Sequence, residues 1–109
     1  MQTSLVKGKA SSINGTPVTV LTNDSNAVYS TVTIELFNDG VVGTDPDATG
    51  YIYIADNDSP ANLDKIDYVV MQAGGFYQRT CSLIGPGEKI IINFSNSTIR
   101  ARITGLKAS

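Results

Sequence analysis

Apolar and polar residues alternate with a period of two along most of this chain, and each alternating run stops at a cluster of Gly, Asn, Asp, Ser or Pro. Successive side chains of a strand point to opposite faces, so these runs predict about eight half-buried strands. The clearest is Val28 to Phe37, with Val28, Val32, Ile34 and Leu36 on one face and Tyr29, Thr31, Thr33, Glu35 and Phe37 on the other. Tyr51 to Ile54 directs Ile52 and Ile54 inward and its two tyrosines outward. In Lys89 to Phe94, Ile90, Ile92 and Phe94 share a face while Ile91 lies on the other, which predicts a strand covered on both sides. The closing strand, Thr98 to Leu106, turns Ile99, Ala101 and Ile103 to the core and Arg100, Arg102 and Thr104 to solvent.

The remaining strands are Thr3 to Ala10, Pro17 to Leu21, Lys65 to Gln72 and Phe76 to Leu83, of which the third has the pattern nearest to a short helix. Asn14-Gly15 predicts a type I′ turn that pairs the first two strands, because both central residues of that turn need positive φ. Gly74-Gly75 and Gly85-Pro86-Gly87-Glu88 mark two further turns. With no amphipathic helical period anywhere, the fold class is all-β: a single-domain β-sandwich of about eight antiparallel strands. Strand order is not legible at this level, so Ig-like, jelly-roll and barrel topologies stay open. Residues 1–10 read as an N-terminal arm or a first strand, and residues 11–109 as the sandwich; 109 residues hold one core.

Composition sharpens this picture. Charged residues make up 17%, below the usual share of about 25%, and the polarity comes instead from Ser, Thr, Asn and Gly, which suit turns and sheet faces. A net charge of −2 offers no general attraction to phosphate backbones or anionic lipids, so neither nucleic acid nor membrane is an expected partner. Residues 1–10 lack a continuous apolar segment, so no signal peptide is expected and synthesis is assigned to the cytoplasm. The one cysteine, Cys81, excludes an internal disulfide and reads as a small buried apolar residue.

The chain has no histidine and two glutamates, which removes Ser-His-Asp and Cys-His catalysis; the expectation is a protein that is not an enzyme and needs no cofactor. One alternative concerns calcium. Asp45, Asp47, Thr49, Gly50 and Asp56 fall at the first, third, fifth, sixth and twelfth positions of an EF-hand-like loop, so Asp45, Asp47, Thr49 and Asp56 are candidate ligands. Against it, Thr holds the fifth position, Asp replaces the terminal bidentate Glu, and neither flank is helical. Asp-rich turns also arise because Asp bonds its own backbone. The Asn-x-Ser/Thr triplets at Asn14, Asn23, Asn93 and Asn96 read as turn chemistry in the same way.

For contact with partners, Tyr29, Phe37, Tyr51 and Tyr53 form the preferred candidate face, and Leu5 and Val6 of the N-terminal segment are candidates to anchor an arm. The tyrosines and aspartates around Tyr51 also suit sugar hydroxyls, which gives a carbohydrate- or receptor-binding reading.

The stretch Phe76-Tyr77-Gln78-Arg79-Thr80, Gly85-Pro86-Gly87-Glu88-Lys89 and Ile99-Arg100-Ala101-Arg102-Ile103-Thr104-Gly105-Leu106 resembles small virion structural proteins of tailed bacteriophages. The strand Val28 to Asn38, and Tyr51 to Ala55 followed by an Asp/Ser/Pro/Ala turn, extend the resemblance over roughly residues 16 to 107. It implies a compact β-sandwich that coats or joins particle components, as a capsid decoration (cement) protein or a neck or tail module. It also implies a homotrimer or larger ring, with the major capsid protein or other virion proteins as partners and the capsid exterior as location. No catalytic residue carries over. The acidic loop from Asp39 to Asp47 has no counterpart in the family pattern.

Overall fold

The structure, a computed structural model, describes residues 3–26 and 29–108. These residues form eight strands: β1 (Thr3–Ser11), β2 (Val18–Thr22), β3 (Ser30–Asn38), β4 (Ala48–Ala55), β5 (Lys65–Met71), β6 (Phe76–Ile84), β7 (Lys89–Phe94) and β8 (Ile99–Ala108). One 3₁₀ turn, Asn62–Asp64, precedes β5, where the Asp64 carboxylate accepts a bond from the Ala61 N–H at 2.8 Å. Of the N-terminal segment, the described part is a full strand rather than an arm, and Met1 and Gln2 lie outside the described residues. The predicted start of β3 at Val28 also lies outside them.

The strands form two four-stranded antiparallel sheets in the orders β1-β8-β3-β6 and β2-β7-β4-β5. Pairing β1 with β8, β2 with β7, β3 with β6 and β4 with β5 describes one long antiparallel ribbon folded back at the β4–β5 connection. Winding that ribbon adds the contacts β3–β8 and β4–β7, which completes a jelly roll. The sandwich class is thus as expected, and its topology is the jelly roll.

This topology overturns one local expectation. The turn at Asn14-Gly15 forms, with Thr16 N–H donating to the Ile13 carbonyl at 2.9 Å and Gly15 at φ 67°. Yet β1 and β2 do not pair: they belong to different sheets, and the turn carries the chain across the sandwich. The turns after β5 and β6 do the same. Except between the consecutive strands β4 and β5, sheet pairing forms instead between segments far apart in sequence.

The core lies between the sheets and is built from the inward rows that alternation identified. Ile34, Leu36, Ile52, Ile90, Ile92, Phe94, Ile99 and Ile103 are fully buried there. Ile91 is also fully buried, but on the outer side of its sheet, against Tyr53 and Ala55. The loop after β4 closes over this side: the Thr19 hydroxyl donates to Asp58 at 2.6 Å, and Lys89 stands 3.8 Å from the same carboxylate. Two buried asparagines tie the ends of the sandwich. The Asn23 amide donates to the Gly85 carbonyl at 2.8 Å and accepts from Ser30, while that of Asn38 donates to the Met71 carbonyl at 2.9 Å and accepts from Thr98.

Candidate interaction surfaces

Each sheet has one outward face, and the two differ in chemistry. On the β1-β8-β3-β6 sheet, register partners form rows across all four strands. The first row is Leu5, Leu106, Thr31 and Leu83. Its leucines are 71%, 52% and 61% exposed in that order, and Tyr29, also exposed, stands near the same end against Gly85. A second row is Lys9, Arg102, Glu35 and Gln78, in which Arg102 reaches the Glu35 carboxylate at 3.2 Å. A third is Ser11, Arg100, Phe37 and Phe76, with Arg100 held by Asp39 at 3.3 Å. Both phenylalanines are exposed and, with Lys9, Glu35, Arg100 and Arg102, they line a shallow depression of about 280 Å³.

This face therefore has leucines at one end, phenylalanines at the other and a basic band between them. Lys7, Lys9, Arg100 and Arg102 outnumber the carboxylates Glu35 and Asp39 by two, in a chain whose net charge is −2. The rest of the molecule, with eight acidic and four basic side chains, is correspondingly acidic. Exposed ion pairs of this kind add little to stability, so their effect is mainly on which surfaces approach this one.

The outer face of the β2-β7-β4-β5 sheet is aromatic. Tyr51 is the register partner of Tyr68 on β5 and of Asn93 on β7. The rings of Tyr51 and Tyr68 lie 5.1 Å apart at 50°, those of Tyr51 and Tyr53 6.2 Å apart, and the Lys65 ammonium stands 3.9 Å from the Tyr51 ring centre. Burial pushes the Tyr53 phenol above its ordinary pKa and the neighbouring Tyr51 adds to this, while the Asn93 amide acts in the other direction. Tyr77, on the β6 edge, is also raised, first by burial and then by its hydrogen bond to Asp67; Arg79, 3.7 Å from that carboxylate, partly offsets this.

The predicted face of Tyr29, Phe37, Tyr51 and Tyr53 does not exist as one surface. Tyr29 and Phe37 belong to the β1-β8-β3-β6 side, and Tyr51 and Tyr53 to the other. Tyr53 is only 7% exposed, covered with Ile91 and Ala55, so it supports the sheet rather than meeting a partner. Val6, 8% exposed, is likewise a core residue, because β1 is fully paired with β8 and turns it inward; Leu5 alone of that pair faces solvent. Sequence reasoning missed Leu83 and Leu106 as surface apolar residues: Leu106 continues the outward row of Arg100, Arg102 and Thr104, whereas Leu83 is turned outward by the bulge in the β3–β6 register.

The four candidate calcium ligands do not converge. Asp45 and Asp47 precede β4 and Asp56 follows it, so an eight-residue strand separates them by roughly 30 Å at about 3.3 Å per residue. Thr49 sits within the strand, and Asp45 instead accepts the Val41 N–H at 2.6 Å, the turn role that Asp often takes. Among the described residues no group of three or more Cys, Asp or Glu side chains gathers in a way that would hold a metal, and no helix is long and apolar enough to cross a membrane. Asn23, one of the four triplet asparagines, is buried and bonded as described above, in keeping with turn chemistry. The side-chain environment of Cys81 lies outside the described residues.

No protein-family model matches the chain, and no curated protein does. Among solved structures it is similar to a chain described under "Bacillus endospore appendages form a novel family of disulfide-linked pili", with a TM-score of 0.53 and 10% identity, over 100% of this chain and 91% of that one. At this level of identity the likeness is one of fold alone.

Proposed function

We propose that this chain is a non-enzymatic structural protein of a bacteriophage particle, a capsid decoration protein that docks on the outer shell through the face of the β1-β8-β3-β6 sheet. The observation that carries the reading is the row Leu5, Leu106, Thr31 and Leu83, which runs the full width of a sheet and leaves three leucines in water. Contiguous exposed apolar rows are unfavourable for a free surface and favourable at an interface, where the apolar part is covered and a charged part sets the register. The basic band suits an acidic partner surface. The resemblance to small virion proteins supplies the address, and a trimer over a local symmetry axis is the assembly it suggests.

The test is rebinding. Capsids stripped of the protein are expected to take it up again to a saturable copy number, and Leu83→Asp combined with Leu106→Asp is expected to abolish uptake while the variant stays folded. Absence of binding to shells, with binding to isolated necks or tails, would move the protein to those structures.

A second reading, a self-assembling fibre subunit, is favoured by the pilus likeness and by the sheet edges. Strands β1 and β6 are both nine residues long and run in opposite directions at the two edges of one sheet. A copy translated sideways would therefore meet β6 with an antiparallel β1 and extend the sheet. Filaments formed by the purified protein alone, seen by electron microscopy, would select this reading over decoration.

A further inference from the structure

We propose that the opposite face carries a binding site for an uncharged saccharide, formed by Tyr51 and Tyr68 with Thr49, Asn93 and Ser95. The site lies outside the docking face, and the inference stands whether or not that docking occurs.

Three observations carry it. The first is an exposed ring beside a partly covered one: Tyr68 is 55% exposed, and its ring is tilted 50° to that of Tyr51. Lys65, which stands over the Tyr51 ring, is not among the residues around the adjoining depression. The second is the lining of that depression, about 280 Å³ in volume, just below the ~300 Å³ at which small-molecule sites begin. Its polar side chains are Thr49, Asn93, Ser95 and tyrosine hydroxyls, with no carboxylate and no cation. The depression on the other face, by contrast, is lined by Lys9, Glu35, Arg100 and Arg102. Lys65 over the Tyr51 ring aside, a charged ligand would find no counter-charge in this lining, whereas a sugar ring offers a C–H face to stack on tyrosine and hydroxyls to meet neutral donors and acceptors.

The third is that the rim is already fixed. The Thr49 N–H donates to the Ser95 hydroxyl oxygen at 3.0 Å and the Ser95 N–H to the Thr49 carbonyl at 2.8 Å. On the neighbouring turn, the Gly15 N–H donates to the Phe94 carbonyl at 2.8 Å, and the space where a Gly15 side chain would project is open. Backbone ordering of this rim therefore adds little to the cost of binding. The buried Tyr53 serves as a support for Tyr51, and the aspartates of the flanking loops, which sequence reasoning placed at a sugar site, are absent from the lining.

The experiment is a glycan array probed with the intact protein, followed by an ¹⁵N-HSQC titration of the best neutral sugar. Binding to neutral glycans is expected, with shifts centred on Thr49, Tyr51, Tyr68, Asn93 and Ser95. Tyr68→Ala is expected to weaken binding about tenfold or more through loss of stacking, and Tyr68→Phe to retain most of it. No binding to any neutral glycan, binding confined to sialylated or sulfated glycans, or undiminished affinity in a folded Tyr68→Ala variant would overturn the inference. The docking variant Leu83→Asp/Leu106→Asp should bind the sugar as the parent does, so failure of one proposal is distinguishable from failure of the other.

Discussion

The Phe94 ring occupies the space that a side chain at position 50 would need: a Cβ on Gly50 would lie 2.7 Å from Phe94 Cδ1 and 2.2 Å from the Asn93 carbonyl oxygen. The two residues are register partners on β4 and β7, and Phe94 is a fully buried member of the core. A glycine inside a strand is ordinarily a weakness, and here it lets an aromatic ring and a neighbouring backbone close over it.

Gly50→Ala should therefore destabilise by about 1–3 kcal/mol, since the obstruction includes backbone and cannot be relieved by a rotamer change. Gly15→Ala is the informative comparison. Gly15 has φ 67°, yet an added Cβ meets nothing within 4 Å, so its cost is conformational only, about 1 kcal/mol. Denaturant unfolding of both variants should place Gly50→Ala below Gly15→Ala; the reverse order would show that the strand shifts easily at position 50.

Tyr53 and Tyr77 predict a weakness in alkali. Burial raises both phenols above their ordinary pKa, so the folded protein holds these protons more tightly than the unfolded chain does. The associated stability is fully present below pH about 10 and is lost as pH rises through the raised folded values. Thermal midpoints should consequently fall above pH 10 for this reason. In an absorbance titration of the tyrosinate band, Tyr53→Phe and Tyr77→Phe should each remove part of the highest-pH component.

Asn38 is fully buried at the end of β3, with every polar atom of its amide group aimed at a partner on another segment. Asn38→Asp should be worse than Asn38→Ala, because a carboxylate cannot donate to the Met71 carbonyl and would bring a charge into the core. About 1–3 kcal/mol is expected for the alanine variant and more for the aspartate, measured by chemical denaturation at neutral pH. Equal stability of the two would argue that water reaches this end of the sandwich.

Calcium should leave stability unchanged. A ligand that binds only the folded state raises the melting temperature with its concentration, and Asp45, Asp47, Thr49 and Asp56 are too dispersed to share an ion. Melting curves with millimolar calcium or with a chelator should superimpose, and a rise with calcium would point to a site made by other residues.

Much of the fold was legible in the chain because alternation is a local property. Any segment with the pattern of Val32, Ile34 and Leu36, or of Ile99, Ala101 and Ile103, must bury one face as a strand, and these residues are indeed core. Ile91 announced a second covered side in the same way. Strand β4 begins three residues earlier than its tyrosines suggested because Ala48 and Gly50 carry no apolar bulk to signal burial, though both are buried.

What the sequence by itself determined, then, was the class, the approximate number of strands and which side chains of β3, β4, β7 and β8 point inward. Only the tertiary structure decided the partners. Asn14-Gly15 specifies that the chain reverses, but not that it enters the other sheet, and β1 finds its neighbour in β8 at the far end of the chain. That choice divides the aromatic residues between two faces, buries Tyr53, and sets Leu5 beside Leu106. The reason is physical: turn and strand preferences act over a few residues, whereas strand order follows from closing one apolar core with the whole ribbon at once.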